Sequence, residues 1–216
     1  MPVLSCFNRY LSASLPAAAV ALLLSTSSAV AQAQAQAQAL LENYTPVTLE
    51  ELANPPASDW LMWRGTPNNW AHSPLDQINK DNVDSLRLAW SWTMEPGKQE
   101  TTPLVHDGIM FLPQACDFIE AVDATDGTPL WEYRRATVDH VAPLSCANRN
   151  GTLYKDQLII ATRDAYIVSL NATSGEVTWE RKIGDWTVGQ HYSGGPQVFN
   201  GKVITGMSGC YYINTS

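Results

Sequence analysis

A turn motif that occurs twice is the feature that most constrains the fold of this chain. Asp123-Ala124-Thr125-Asp126-Gly127 is followed by Trp131-Glu132, and 48 residues later Asn171-Ala172-Thr173-Ser174-Gly175 is followed by Trp179-Glu180. An internal repeat with a period of roughly 40–50 residues is typical of β-propellers and solenoids. The repeat therefore predicts an array of similar units, and it directs the search for a functional site to the axis that those units would surround.

Short runs of β-branched and aromatic residues, separated by Gly, Asp and Asn, follow one another along most of the chain. The turn residues Gly108, Asp156 and Gly201 are in register, at separations of 48 and 45 residues. About four strands per repeat is the content of one propeller blade, so we predict an all-β propeller of four-stranded blades. The predicted strands are residues 86–93, 102–106, 109–113, 118–122, 129–134, 158–162, 165–170, 177–183, 196–199 and 202–206.

The repeated motif has an architectural explanation. Its Gly supplies a positive φ in the turn between the two outer strands, and the Asp or Asn that opens the turn can bond its own backbone. Trp131 and Trp179 each follow the Gly by four residues. We expect both indoles to lie flat between adjacent blades, as docking residues.

The first 58 residues precede the predicted blades. An apolar run at 15–24 is too short to span a bilayer, and Ala29-Val30-Ala31 has the small-residue pattern of a cleavage site. Residues 1–31 are therefore a predicted signal peptide, and the mature protein is expected in a bacterial periplasm or an equivalent oxidising space. Residues 32–58 form a low-complexity lead-in segment, in which we expect Gln32–Ala39 to be disordered and 48–52 to form a helical turn. The blades are assigned to residues 59–216.

Charge and histidine content exclude some functions. A formal net charge of −8, with no run of Lys or Arg, argues against a nucleic-acid partner. The four histidines show no metal-ligand spacing, and we expect them at surface or loop positions: His72, His106, His140 and His191.

Three cysteines remain after signal cleavage, Cys116, Cys146 and Cys210. An odd number in an oxidising compartment indicates a free thiol or a missing partner, and we favour a missing partner. Cys116 and Cys146 could pair with each other, but their spacing does not establish it.

The opening of the predicted blades resembles that of the quinoprotein alcohol dehydrogenases, and the repeated motif resembles their blade-docking tryptophan motif. The similarity extends from about residue 59 to residue 209. It implies an eight-bladed propeller with pyrroloquinoline quinone (PQQ) on its axis, of which this chain would hold the first three blades at most. The matching opening residues are Trp60, Ser73-Pro74-Leu75-Asp76-Gln77-Ile78-Asn79, Asn82-Val83, Leu86 and Ala89-Trp90.

The resemblance implies a set of cofactor contacts. The family has a Gly-x-Glu-x-x-Pro segment, which resembles residues 99–103 and makes Glu100 the residue that bonds the quinone; the alternative is a solvated loop carboxylate. Arg149 matches the family arginine that pairs with a PQQ carboxylate, for which a guanidinium fork is suited. Ser193 matches a family hydroxyl residue, and Ser208 and Gly209 match a family Ser-Gly pair.

Two positions depart from the family. Its adjacent Cys-Cys pair is replaced by Leu144-Ser145-Cys146, and its metal-ligating Glu is replaced by Tyr211. A phenol is a poor calcium ligand, so a calcium or lanthanide ion is either absent or held by residues outside this chain. The catalytic Asp of the family also lies outside this chain.

Two functions follow. The first is an exported PQQ-dependent dehydrogenase that oxidises an alcohol or a related hydroxyl compound and passes electrons to a cytochrome-type acceptor. The second is a non-catalytic exported propeller that acts as a protein-interaction scaffold in the cell envelope. In either case we expect no integral membrane domain. Because three blades cannot close a ring, we expect the 216-residue chain alone to be inactive and prone to aggregation.

Overall fold

The structure of the chain is a computed structural model, and it describes residues 31–136, 146–192 and 194–208. The chain divides into two compact units, Met1–Gln36 and Ala37–Ser216. The second unit contains two four-stranded antiparallel sheets and a two-stranded sheet. Each four-stranded sheet is one propeller blade, so the predicted fold class is confirmed as part of a β-propeller.

The strands of each blade pair in chain order. A break in strand register separates Ala121 from Val122 in the first blade, and an equivalent break separates Ser169 from Leu170, 48 residues later, in the second. The repeat seen in the sequence is therefore also a repeat of backbone geometry. The first blade contains β1 (Leu104–His106), β2 (Ile109–Gln114), β3 (Phe118–Asp123) and β4 (Pro129–Arg134); the second contains β5 (Thr152–Tyr154), β6 (Gln157–Ala161), β7 (Tyr166–Asn171) and β8 (Val177–Lys182); the third sheet contains β9 (Gln197–Phe199) and β10 (Lys202–Ile204).

The predicted strands differ from the observed ones in two places: one strand was not predicted, and one predicted strand does not form. Strand β5 was missed because it has only three residues and a single aliphatic side chain, Leu153. Residues 86–93 were predicted as a strand but form none. A strand requires a hydrogen-bonded neighbour; this segment has none among the described residues, and Leu88 is 83% exposed.

The core lies between the sheets and is built from their inner strands. Most residues of β2 and β3 in the first blade and of β6 and β7 in the second are buried, whereas every residue of the outer strand β8 is exposed. Since successive side chains of a strand point to opposite faces, both faces of these inner strands are covered. Side chains with no exposed surface include Ile109, Phe111, Ile119, Leu158, Val168 and Leu170.

The indole of Trp131 joins the two blades. It extends from β4 of the first blade onto the turn of the second, where its Nε1 donates a hydrogen bond of 2.9 Å to the carbonyl of Ala172. The ring covers Gly175, at which a Cβ would lie 2.5 Å from Trp131 Cε3. Asn171 closes the turn by accepting a bond of 2.9 Å from the backbone of Thr173. The predicted docking role of Trp131 is therefore confirmed.

Trp90 repeats this contact on the first blade. Its Nε1 donates to the carbonyl of Ala124 at 3.2 Å, and its ring lies against Gly127. Trp179 differs, because it is 36% exposed and its Nε1 donates to Gln157 within its own blade. Its docking role therefore stays a prediction.

The lead-in segment is more ordered than predicted. Residues 31–42 are helical (α1), so the expectation of disorder at Gln32–Ala39 was wrong. Gln and Ala are both good helix formers, and Leu40 and Leu41 pack against the hydrophobic core. The predicted turn at 48–52 is a helix, α2 (Leu49–Ala53), which begins at a capping box between Thr48 and Glu51. Among the described residues, no helix has the length and hydrophobicity that crossing a membrane requires; the predicted signal peptide lies largely outside them.

His106 holds the lead-in segment to the first blade. The expectation that it is a surface or loop residue was wrong, because it lies in β1 and is 3% exposed. Its Nδ1 lies 2.6 Å from Asp59 Oδ2, and its Nε2 lies 2.8 Å from the carbonyl of Thr45. Both ring nitrogens therefore face acceptors, and both are satisfied only when the ring is a doubly protonated imidazolium.

The charged form of His106 is favoured by its surroundings. Burial lowers the pKa of the ring, but the bonds to Asp59 and Thr45 and the charge of Asp107 outweigh this, so the pKa of His106 is raised above its ordinary value of 6.5. A raised pKa in the folded state means that the contribution to stability is complete below pH 6.5 and is lost as the pH rises through the higher pKa.

We predict that the attachment of residues 44–60 weakens as the pH rises above about 6.5, the ordinary pKa of histidine. Hydrogen-exchange protection of peptides from this segment, corrected for the intrinsic pH dependence of exchange, measures it in the complete protein. The variant His106→Gln should show low protection at every pH, while His72→Gln should behave like the wild type. A wild-type profile that does not change with pH would contradict the imidazolium assignment.

We also predict that Gly175→Ala lowers the free energy of unfolding by roughly 1–3 kcal/mol, because Ala is strained at positive φ and its methyl group displaces the Trp131 ring. Gly175 has a φ of 72°, whereas a Cβ at Gly206 meets no atom within 4 Å. Gly206→Ala is therefore the matched control in thermal unfolding of the complete protein. Equal melting temperatures for the two variants would show that the Trp131 contact does not limit stability.

Candidate functional site

Glu100 and Arg149, which the family resemblance assigns to one cofactor, form an ion pair. Arg149 Nη2 lies 2.5 Å from Glu100 Oε2. The backbone supports this contact, because Thr102 donates a bond of 2.7 Å to the carbonyl of Arg149. Glu100 lies shortly before β1 and Arg149 shortly before β5, the first strands of the two blades. The two residues therefore occupy equivalent positions in neighbouring blades. Both side chains remain accessible, at 24% and 36% exposure.

Lys98 is a third charged group at this pair. Its Nζ lies 2.5 Å from Glu100 Oε1, so each oxygen of the carboxylate contacts a different cation. The bond from Lys98 is the main cause that holds the pKa of Glu100 below its ordinary value, and the charge of Arg149 adds to it against an opposing effect of burial. Glu100 is therefore an ionised carboxylate. Sequence reasoning did not select Lys98.

A disulfide bond lies close in sequence to Arg149. Cys116 and Cys146 are joined, and Cys116 also donates a backbone bond of 2.6 Å to the carbonyl of Cys146. Cys116 lies in the connection between β2 and β3, while Cys146 precedes Arg149 by three residues. The disulfide therefore attaches the segment that carries Arg149 to the first blade. This settles the pairing that spacing left open; Cys210 lies outside the described residues.

A buried polar cluster supports the same segment. Asp117 is 1% exposed and accepts a bond of 3.0 Å from the backbone of Arg163 and one of 3.3 Å from the Asn148 side chain. Burial raises the pKa of Asp117, against the lowering effects of the Arg163 backbone bond and guanidinium and of Asn148. Arg163 Nη1 also lies 3.1 Å from Cys146 Sγ. The sequence signal for this cluster was slight: an Asp next to a Cys at the end of an apolar strand.

Of the remaining predicted cofactor residues, Ser208 lies within the described ranges. Ser208 forms a β-bridge with His191, through backbone bonds of 2.9 and 3.2 Å. Ser193, Gly209 and Tyr211 lie outside the described residues. Gly195 donates a backbone bond of 2.9 Å to the Asn150 side chain, next to Arg149.

The donor set fits an anionic cofactor. Lys98 and Arg149 carry two positive charges against the single negative charge of Glu100, and all three side chains reach solvent. An anion is attracted to such a group, and a planar guanidinium recognises a carboxylate bidentately. Within the described ranges, no three His, Cys, Asp or Glu side chains gather as a metal site.

Removal of the disulfide tests its role in this arrangement. We predict that the free energy of unfolding of the double variant Cys116→Ser/Cys146→Ser is about 2–4 kcal/mol lower than that of the wild type, which is the range expected for a disulfide. The two cysteines are separated by 30 residues. Thermal unfolding of the complete protein, with and without dithiothreitol, measures it. Reductant should lower the melting temperature of the wild type and leave that of the variant unchanged; an effect of equal size on both would show that another bond is being reduced.

Comparison with known proteins identifies the family. The family model for the PQQ glucose/ethanol/alcohol dehydrogenase β-propeller domain matches residues 60–180. The chain is 37% identical over 142 residues to the quinoprotein alcohol dehydrogenase PedH of Pseudomonas putida, covering 64% of this chain and 24% of that protein. It is 38% identical over 160 residues to the 1-butanol dehydrogenase (quinone) of Thauera butanivorans, covering 71% of this chain and 26% of that protein.

Solved structures agree. The quinohemoprotein alcohol dehydrogenase of Comamonas testosteroni superposes with a TM-score of 0.72 at 29% identity, covering 84% of this chain and 28% of that one. A europium-containing methanol dehydrogenase superposes with a TM-score of 0.69 at 30% identity, covering 74% and 29%. The chain spans about a quarter of the length of the curated relatives it matches. On the extent of the family match and of the sequence identity, this chain belongs to the PQQ-dependent alcohol dehydrogenase family.

Proposed function

We propose that the complete protein is an exported PQQ-dependent dehydrogenase that oxidises an alcohol or a related hydroxyl compound and passes the electrons to a cytochrome-type acceptor. The observation that carries this proposal is the ion pair between Glu100 and Arg149. The two residues are 49 positions apart in the sequence, and the family resemblance assigns both to the same cofactor. Family membership supports the reaction class, and the relatives named above are alcohol dehydrogenases.

Arg149 is the residue that would hold PQQ by a carboxylate. A guanidinium has five N–H donors in a planar fork, so it can bind a cofactor carboxylate while it keeps its bond to Glu100. Glu100 is ionised and can accept a hydrogen bond from the cofactor through the lone pairs that the two cations leave available. When bound, PQQ supplies the electron acceptor for the hydroxyl carbon, and the protein orients it.

The surroundings of the pair favour a site with fixed geometry. The Cys116–Cys146 disulfide and the bond from Asn148 to Asp117 restrain the segment on both sides of Ala147, directly before Arg149. Groups fixed before the ligand arrives bind it at a smaller entropic cost. This proposal assigns no catalytic base to the chain.

Export to the periplasm is part of the proposal. The predicted signal peptide supports it, and so does the Cys116–Cys146 disulfide, because such bonds persist in oxidising compartments. A calcium or lanthanide ion, if the complete protein uses one, is proposed to be held by residues outside the described ranges, since the family's ligand position is Tyr211. The alternative function, a non-catalytic envelope scaffold, makes no use of the charged pair.

PQQ binding by the complete protein, titrated with and without calcium and followed by dye-linked alcohol oxidation, tests the proposal. We expect saturable binding by the wild type and a loss of about 10–100-fold in Glu100→Gln and Arg149→Ala, because bonds to charged groups contribute roughly 1.5–3 kcal/mol. Lys202→Gln, on the exposed strand β10, is the matched control.

The outcomes separate the site from the function. Wild-type affinity in both Glu100→Gln and Arg149→Ala would overturn the site while leaving the function. Absence of PQQ binding by the wild type under any metal condition would overturn the function and favour the scaffold.

A further inference from the structure

The loop before β1 holds Lys98 in a defined position. Gly97, directly before it, has a φ of 142°, and a Cβ there would lie 2.9 Å from that of Ala115. Gln99, directly after it, accepts a bond of 3.2 Å from the backbone of Ala115 and donates one of 2.5 Å to the carbonyl of Glu95. The backbone of Lys98 is therefore fixed on both sides, and it is fixed to the residue that precedes the disulfide at Cys116.

The side chain of Lys98 is directed to Glu100, the acidic member of the Glu100–Arg149 ion pair. Its ammonium contacts Glu100 Oε1 at 2.5 Å, although 64% of the side chain is exposed. An exposed Lys–Glu pair by itself adds little to stability. An ammonium has three donors, so it can contact Glu100 and a ligand at the same time.

The Glu100 carboxylate has more cations around it than a single salt bridge requires. One cation is enough to balance the charge of the Glu100 carboxylate. Lys98 and Arg149 nevertheless both flank this single carboxylate, one at each oxygen. A site of this kind attracts a ligand with more than one carboxylate, because each cation can meet a separate anionic group.

We propose that Lys98 is a second cation of the cofactor site, which binds a carboxylate of PQQ alongside Arg149. This inference rests on the proposed function. The inference adds Lys98 to the proposed site as a specificity residue. Glu100 positions both cations, Lys98 and Arg149, toward the ligand. In the Gly-x-Glu-x-x-Pro segment of the family, a Gly lies two positions before the Glu. Lys98 takes that position here, so this second cation is not part of the family segment.

The test is the dissociation constant of PQQ for the complete apoprotein, measured by equilibrium dialysis. We expect Lys98→Gln to weaken binding about 5–50-fold, since one charge-assisted bond is lost, and Lys98→Arg to bind within about threefold of the wild type. Lys202→Gln is the control for loss of an exposed positive charge. PQQ with esterified carboxylates is the control ligand, and its affinity should be the same for the wild type and Lys98→Gln.

A double-variant comparison separates ligand contact from support of Glu100. If Lys98 binds the cofactor directly, Lys98→Gln weakens PQQ binding in the Glu100→Gln background as well. If Lys98 acts only by holding Glu100, the substitution has no effect in that background, and the proposal is overturned. Wild-type affinity in the single variant Lys98→Gln also overturns it. Absence of PQQ binding by the wild type overturns the proposed function, and this inference with it.

Discussion

The contact between the Trp131 indole and the Gly175 turn is the interaction on which the rest of the structure depends. A flat ring can cover the turn only because Gly175 has no side chain, and the indole N–H then reaches the carbonyl of Ala172. One residue therefore provides apolar area and a directional bond at the same surface. Since this contact fixes one blade against the next, it also fixes the distance between loops at equivalent positions of neighbouring blades, which is where Glu100 and Arg149 meet.

The candidate site is restrained by a covalent bond and by buried charge. The Cys116–Cys146 disulfide joins two loops that the sheets alone do not connect, and Asp117 binds both Asn148 and the backbone of Arg163 beneath it. A buried carboxylate is costly unless its bonds are complete. Its presence here is explained by the restraint that it places on the segment leading to Arg149. His106 plays a comparable part in β1, where its buried ring contacts Asp59 and Thr45 and so holds the lead-in segment.

Local sequence patterns predicted the elements whose partners are near in the chain. The strand predicted at 129–134 has those bounds in the structure, and the hairpin turns at Gly108 and Gly201 lie where Asp-Gly and Asn-Gly placed them. The prediction failed at residues 86–93, where an apolar run meets no neighbouring strand among the described residues. It failed also for His106, because nothing near it in the sequence indicates that Asp59 and Thr45 will surround it. The assignment of Glu100 and Arg149 to one cofactor came from family resemblance and stays a prediction, and their ion pair was seen only in the structure.

The sequence by itself determined the repeat, the turn chemistry and the all-β blade, because each of these depends on residues that are close together in the chain. It also carried the resemblance that names the candidate cofactor residues. Only the tertiary structure decided that Cys116 pairs with Cys146, that Asp117 and His106 are buried with their partners, and that Lys98 shares Glu100 with Arg149. These features join residues from separate loops, and the packing of one blade on the next, not the composition of any segment, sets the distances between them.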